Sequence, residues 1–222
     1  IVYSGYPMKK VVVIDNLTET FKGSIVRSGL QKSSKLDARA FAKLGYDTHY
    51  IYCGHLEDDY GYTHHVVDEL GSKERAVVEG KNPSRVSRYY IKGYLTKVQD
   101  LIQSADYVIA HCHSVSMITN INQLVKNKRI MFVIHDVIDL MWCYGTSDVI
   151  RRMRKSDRNM VYIATNSNYS VQRMTDIHER AKKANYEDIP LAGEDAFDGF
   201  IEHFVWTDEK ITDEDIRKLD TR

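Results

Sequence analysis

Cysteine, net charge and long apolar runs are what this sequence of 222 residues has least of, and each shortage excludes a class of protein. The cysteines, Cys53, Cys112 and Cys143, are odd in number and far apart, which excludes a disulfide framework and a Cys-x-x-Cys metal site. Such usage is typical of the reducing cytoplasm, the predicted location. No apolar run approaches the roughly 20 residues that cross a bilayer. The composition therefore predicts a soluble globular protein without a membrane span.

Basic and acidic residues balance, with 31 of each, so the whole chain gives no electrostatic argument for an acidic partner. Their distribution is uneven, because 187–220 is mostly acidic and positive charge gathers in two clusters. A basic face of this kind can follow a phosphate backbone, and the alternative is an ordinary solvated helix surface. The clusters consist of Lys81, Arg85, Arg88, Lys92 and Lys97, and of Arg151, Arg152, Arg154, Lys155 and Arg158.

The length is more than one domain core requires and short for two complete α/β domains. We therefore predict one domain over 8–182, followed by an acidic arm or linker over 183–222. Residues 1–7 lack the shape of a signal peptide and are left out of the fold prediction.

Short apolar runs alternate with helical patterns along the chain. The tract 55–82 is polar and rich in Gly, Asp and His, which predicts a loop or a poorly paired hairpin. The alternation elsewhere predicts an α/β fold with a Rossmann-like, doubly wound parallel sheet. The predicted strands are 9–15, 48–53, 107–111, 129–134 and 160–164, and the predicted helices are 33–44, 84–103, 118–125, 148–155 and one from about 170.

Ligands of an open parallel sheet gather beyond the carboxyl ends of its strands, so polar residues that follow apolar runs are the candidates. His135 and Asp136 stand out, since a polar pair at the end of an apolar strand has no packing reason to be there. The imidazole can donate to a sugar hydroxyl or to charge developing on a donor, and the carboxylate can orient an acceptor hydroxyl or take its proton. We predict them to be the catalytic residues. The other candidate positions are Asp15-Asn16 with the Lys22-Gly23-Ser24 loop, His111 to Ser114, and Thr165 to Ser167.

The loop Lys22, Gly23 and Ser24 precedes a helix and can present backbone N–H groups to a phosphate. It has neither G-x-G-x-x-G nor the Walker spacing, which excludes the dinucleotide and P-loop motifs. The alternative is a plain turn in which Gly23 takes a positive φ.

His111, Cys112 and His113 are adjacent on a predicted strand, so their side chains alternate between faces and cannot converge on one metal ion. This pattern predicts a structural role for one histidine and a place at the cleft rim for the other. His113 and Ser114 are kept as substrate-binding candidates.

The motifs "LGYDTHYIY", "ADYVIAHCHSVS", "RIMFVIHDVIDL" and "NMVYIATNSNYSVQRM" resemble, in order and spacing, the strand ends that line the interdomain cleft of retaining GT-B glycosyltransferases. The pair in "IHDVIDL" is similar to the His-Asp pair of the phage α-glucosyltransferases that modify hydroxymethylcytosine in DNA. The resemblance covers roughly residues 8–175.

This resemblance implies the N-terminal half of a GT-B fold and a retaining hexosyl transfer from a nucleoside-diphosphate sugar such as UDP-glucose. No cofactor or tightly bound metal is implied. Lys22, Gly23 and Ser24 would lie near the donor diphosphate, His135 and Asp136 near the transferred sugar, and Ser167 at the cleft wall. The implied partners are duplex DNA, in the host cytoplasm for a phage-encoded chain, and a second domain or chain that completes the cleft. Candidate DNA contacts are Arg88, Arg151, Arg152 and Arg154.

The sequence departs from the family in lacking the C-terminal domain, which holds the nucleotide sugar through a Glu-x7-Glu motif. Glu194 and Glu202 have that spacing, but no strand or glycine loop flanks them, and we interpret the match as coincidence. Two alternatives therefore stay open. One is a glycosyltransferase acting on a carbohydrate or small molecule, and the other is a Rossmann-like binding or regulatory module without catalysis.

Overall fold

A computed structural model describes residues 8–200 apart from 24–27, 59, 113–114 and 136–139. The strands are β1 (Lys10–Ile14), β2 (Phe21–Gly23), β3 (Asp47–Leu56), β4 (Thr63–Asp68), β5 (Tyr107–Cys112), β6 (Arg129–Ile134), β7 (Met160–Thr165) and β8 (Gly199–Phe200). The helices are α1 (Gly29–Lys43), α2 (Ser72–Val78), α3 (Pro83–Lys97), α4 (Gln99–Ser104), α5 (Val115–Leu124), α6 (Leu140–Arg154), α7 (Asn168–Lys183) and α8 (Gly193–Ala196).

The described strands form one sheet in the order β2-β3-β1-β5-β6-β7-β8, with β4 paired to β3, and each of these pairings is parallel. This architecture confirms the predicted α/β, Rossmann-like fold. From β1 the chain first crosses to β3 on one side and later returns to β5 on the other. The boundary between β1 and β5 is therefore the topological switch point, where open α/β sheets bind their ligands.

The two faces of the sheet are covered unequally. Val12 and Ile14 face one core, to which α3, α5, α6 and α7 also contribute. Val11 and Val13 face the opposite core, in which the described helical residues all belong to α1. We call this second side the α1 face. Its part over β7 is open to solvent, since Met160 is 69% exposed and Tyr162 46%.

Capping residues mark both ends of helix α1. The Ser28 hydroxyl caps its first turn by accepting from the Gln31 N–H at 3.2 Å. Gly45, predicted to follow the helix as its C-terminal glycine, has φ 83°, a conformation that favours glycine. Ser34 and Ala38, one turn apart, are buried against the sheet.

The polar tract 55–82 differs from its prediction. It contains β4, which pairs with β3 in parallel, and α2. Sequence reasoning missed the strand because the polar Thr63, His64 and His65 open it, and of its two valines only Val67 is buried. Helix α6 also begins before the predicted 148. The sequence prediction missed its first turns because Gly145 and the buried polar Thr146 and Ser147 interrupt the apolar pattern.

The described part of the predicted arm, 183–200, packs on the sheet. Ala196 and Phe197 belong to the larger core, and β8 pairs with the carboxyl end of β7. These residues are therefore part of the same packed unit as 8–182. None of the described helices is both long enough and apolar enough to cross a membrane.

Candidate functional site

A polar pocket of about 300 Å³ opens at the carboxyl edge of the sheet, beside the switch point. Its walls come from the loop after β1, the first turn of α1 and the residues that follow β6 and β7. This is where the parallel-sheet rule places a ligand. The lining residues are Asn16, Glu19, Ser28, Gly29, Leu30, Ser33, His135 and Asn166.

Strand periodicity brings a row of polar residues to this edge. Side chains two residues apart on a strand share a face, so His111 of β5 follows Ile109 onto the α1 face, and His135 follows Val133. The His135 N–H donates to the Cys112 carbonyl at 3.1 Å, which keeps this residue extended beside β5. Asn166 follows Ala164, which lies opposite Val133. The three residues therefore lie on one face of the sheet, at the ends of three neighbouring strands.

These side chains and Asp37 of α1 form one hydrogen-bonded chain. Asp37 Oδ2 lies 3.0 Å from His111 Nε2, and His111 Nδ1 lies 2.9 Å from His135 Nε2. The chain ends where His135 Nδ1 meets Asn166 Nδ2 at 2.8 Å. Both nitrogens of each ring are thus engaged with protein groups, and both histidines are buried. His135 lines the pocket, but in this arrangement its nitrogens are bonded along the row.

A second carboxyl group is buried next to the pocket. Asp15 directly follows β1 and precedes Asn16, and the Ser34 hydroxyl donates to its Oδ1 at 2.7 Å. Burial raises the pKa of Asp15 to about 6, although the Ser34 hydrogen bond and the nearby His111 act in the opposite direction. Ser34 Oγ also lies 2.8 Å from the hydroxyl of Tyr50, whose pKa is raised by the same burial. A carboxyl group with such a pKa changes its charge in mildly acidic solution.

The structure places some of the predicted donor-site residues apart from this pocket. Lys22 and Gly23 lie on β2 and pair with the end of β3, and the pocket lining described above contains neither. Gly23 has φ 67°, as the plain-turn interpretation requires. Ser167 precedes α7 as its N-cap, and its N–H donates to Thr165 Oγ1 at 3.3 Å. The remaining predictions, Asp136, Ser24, His113 and Ser114, lie outside the described residues.

Thiol and metal chemistry receive no support from the described residues. Burial raises the pKa of the Cys53 and Cys112 thiols well above the usual range, so both stay protonated and unreactive. Cys143 is buried as well. The described residues contain no group of three or more His, Cys, Asp or Glu side chains arranged to hold a metal ion.

Two of the arginines predicted to contact DNA have partners within the chain. Arg151 donates to the Ile189 carbonyl. Arg154 donates to the carbonyls of Asp195 and Ala196 and lies 3.0 Å from the Asp198 carboxylate. Both therefore attach the segment before β8 to α6. Since α6 runs from the end of β6 back to the start of β7, its last turn points away from the carboxyl edge.

The other two predicted DNA contacts are more exposed. Arg152 pairs with Asp148 one turn earlier on α6, and its side chain is 70% exposed. Arg88 lies on α3, where its guanidinium stacks on the Tyr89 ring, with 4.8 Å between them. These two arginines remain available to a partner at the surface.

Sequence reasoning missed Asp37, and it named Asn166 only as part of a strand end. Asp37 lies three residues after the buried Ser34 and carries a charge on the sheet-facing side of an amphipathic helix. A half-buried acidic residue in that position is the signal that marks it, because a charge taken partly out of water needs a partner. Nothing in the sequence identifies that partner as His111.

Comparison of this sequence with protein-family models and with curated proteins finds no match, so the family resemblance rests on the motifs alone.

Proposed function

We propose that this chain is the Rossmann-like half of a glycosyltransferase that uses a nucleoside-diphosphate sugar, with the carboxyl-edge pocket as the place where sugar and acceptor meet. The observation that carries the proposal is the pocket itself. It brings the first turn of α1 together with His135 and Asn166 at the switch point of the sheet.

The lining of the pocket offers groups for both ends of such a donor. The first amide groups of α1 have no partner within the helix, and they favour negative charge such as that of a diphosphate. Asn166 and Glu19, which also line the pocket, offer groups that hydrogen-bond to hydroxyls. Glu19 would repel a phosphate placed beside it, so the diphosphate belongs at the helix and the sugar towards Glu19.

In the proposed reaction His135 holds the sugar end of the pocket in shape through its two hydrogen bonds. Asp136, the next residue, orients the acceptor hydroxyl or takes its proton, the role given by the family resemblance. The leaving diphosphate is stabilised by the helix amides and by cationic side chains. A second domain or chain supplies the remaining donor contacts.

The direct test is calorimetric titration of the full-length gene product with UDP and UDP-glucose, followed by measurement of UDP released on adding acceptors. The acceptors are hydroxymethylated duplex DNA and an oligosaccharide. We expect Asp136→Asn to lower the rate of UDP release by about 100-fold, the usual size of a general acid–base effect, while UDP-glucose still binds. Absence of both binding and release in the wild type contradicts the proposal.

A second candidate is a binding module that holds a nucleotide sugar without turnover. It is favoured by the engagement of both His135 nitrogens, since such a ring must break a hydrogen bond before it moves a proton. Tight UDP-glucose binding without UDP release on any acceptor selects this alternative.

Duplex DNA is the sharpest form of the acceptor proposal. Each neutralised phosphate releases counterions, so affinity should fall with salt by a log–log slope of about 0.9 per contact. Arg88→Ala with Arg152→Ala should flatten that slope, because both exposed side chains would lose their phosphate contacts. Equal slopes for wild type and double variant contradict DNA contact at these residues.

A further inference from the structure

We infer that Asn166 is the specificity-determining residue of the pocket, held as a fixed hydrogen-bond acceptor by Asp37 through the two intervening histidines. The observation is the unbroken row of three hydrogen bonds from the Asp37 carboxylate to the Asn166 amide. Because each ring nitrogen of a neutral histidine is either a donor or an acceptor, the direction of every bond in the row follows from its first member.

When both rings are neutral, the first bond of the row sets the direction of the others. An ionised carboxylate has only acceptors, so His111 Nε2 carries the hydrogen that faces Asp37. The neutral ring then accepts at Nδ1, which requires His135 to carry its hydrogen on Nε2. His135 accepts in turn at Nδ1, and Asn166 must direct its NH₂ group at it.

The orientation of the Asn166 side chain follows from this row. With Nδ2 turned to His135, the amide oxygen Oδ1 is the group left for the pocket that Asn166 lines. None of the described residues donates to that oxygen. The backbone is fixed as well, since the Thr165 hydroxyl donates to the Ile134 carbonyl at 3.0 Å and accepts the Ser167 N–H.

The pocket therefore selects a ligand group that donates a hydrogen bond, such as a hydroxyl, and disfavours a phosphate oxygen at this position. Identification of the donor as a sugar hydroxyl rests on the proposed function. The orientation of Asn166 does not, because the protein alone fixes it. Asp37 is a positioning residue that acts on the ligand through the row.

Nitrogen-15 NMR of the labelled chain at neutral pH tests the orientation, because two-bond correlations show which ring nitrogen carries hydrogen. We expect His111 and His135 both to be protonated on Nε2 alone. Asp37→Asn should move His135 towards protonation on Nδ1, since an amide can donate as well as accept and no longer imposes one direction. His178, whose Nδ1 lies 2.8 Å from the Pro190 carbonyl outside the row, should be unchanged.

Protonation of His135 on Nδ1 in the wild type overturns the inference. The exposed Asp176→Asn is the matched control and should leave His135 as in the wild type. These outcomes are read without any ligand, so they remain decisive if the proposed glycosyl transfer is wrong.

Titration with UDP-glucose and with UDP tests the ligand contact. Asn166→Ala should weaken UDP-glucose binding about tenfold, the size of one ordinary hydrogen bond, and leave UDP binding unchanged. An unaltered UDP-glucose affinity overturns the contact. If neither compound binds the wild type, the proposed function fails, and the NMR result alone decides the assignment of Asn166.

Discussion

Two regions of the α1 face lie on the same three strands, β5, β6 and β7, and have opposite chemistry. At the amino ends is an open groove of about 350 Å³ with almost entirely apolar walls. At the carboxyl edge lies the polar row that ends in the smaller pocket. The larger of these two cavities is therefore the one with few polar groups in its walls. The groove is lined by Phe41, Tyr46, Tyr107, Val108, Ile109, Arg129, Ile130, Met131, Met160 and Tyr162.

The difference shows what each region can do for a ligand. Apolar walls lower the free energy of any apolar group they cover but fix no orientation, since the hydrophobic effect has no direction. Hydrogen bonds with set donors and acceptors fix orientation, and they are costly when one partner is lost. We therefore assign recognition to the carboxyl edge, and the following substitutions compare the two regions.

The largest difference should come from His111→Ala against Met160→Ala. His111 is fully buried between Asp37 and His135, so its loss leaves both without that partner and should lower the free energy of unfolding by about 2–4 kcal/mol. Met160 is mostly exposed, and its loss should change stability by less than about 0.5 kcal/mol. Urea unfolding midpoints of the two variants give the comparison. Similar losses would show that the two regions do not differ as described.

The carboxyl edge should also give the protein a distinctive pH dependence. The pKa of Asp15 is about 6 in the folded chain against an ordinary 3.8, so the folded state holds the proton more tightly. Between these values the unfolded chain has already lost its proton. The contribution of Asp15 is therefore favourable below about pH 4 and is lost as the pH rises to about 6, a change of up to about 3 kcal/mol.

Asp15→Asn should remove this contribution. Its unfolding free energy, minus that of the wild type, should rise between pH 4 and pH 6. The exposed Asp100→Asn serves as control and should give a flat difference. A flat difference for Asp15→Asn would mean that Asp15 keeps an ordinary pKa.

A smaller effect is expected beside β7, one of the three strands that both regions share. Arg154 donates to two carbonyls of the segment before β8, so Arg154→Ala should cost about 1–2 kcal/mol of stability. The exposed Arg152→Ala should stay within about 0.5 kcal/mol of the wild type. Thermal unfolding of both variants measures this. Equal stability would mean that Arg154 belongs to an ordinary solvated helix surface, the alternative that the sequence left open for its cluster.

The smallest effect concerns the groove alone. Met160→Ser removes exposed apolar surface, so fluorescence of an apolar dye bound to the protein should fall while stability changes by less than about 0.5 kcal/mol. Val66→Ser is the matched control, because Val66 is 52% exposed on β4 and lies outside the groove lining. An equal fall for both variants would mean that the dye does not distinguish the groove from other exposed apolar surface.

The sequence by itself determined the parallel α/β sheet, because continuous apolar runs such as Val11 to Ile14 alternate with helical stripes and allow few other folds. It also placed His135 at a strand end, where a polar residue following an apolar run has no packing role. Both results depend only on local periodicity, which a sequence displays directly.

Only the tertiary structure decided which polar residues meet. Asp37 and His111 are 74 positions apart, and their contact depends on α1 packing over β5. Their hydrogen bond then fixes both histidines and the Asn166 amide, none of which has a direction in the sequence. Only the tertiary structure shows the uncovered groove as well, because the apolar pattern of a strand is the same whether or not a helix packs on it. Local spacing sets which residues share a face, and long-range packing sets what that face touches.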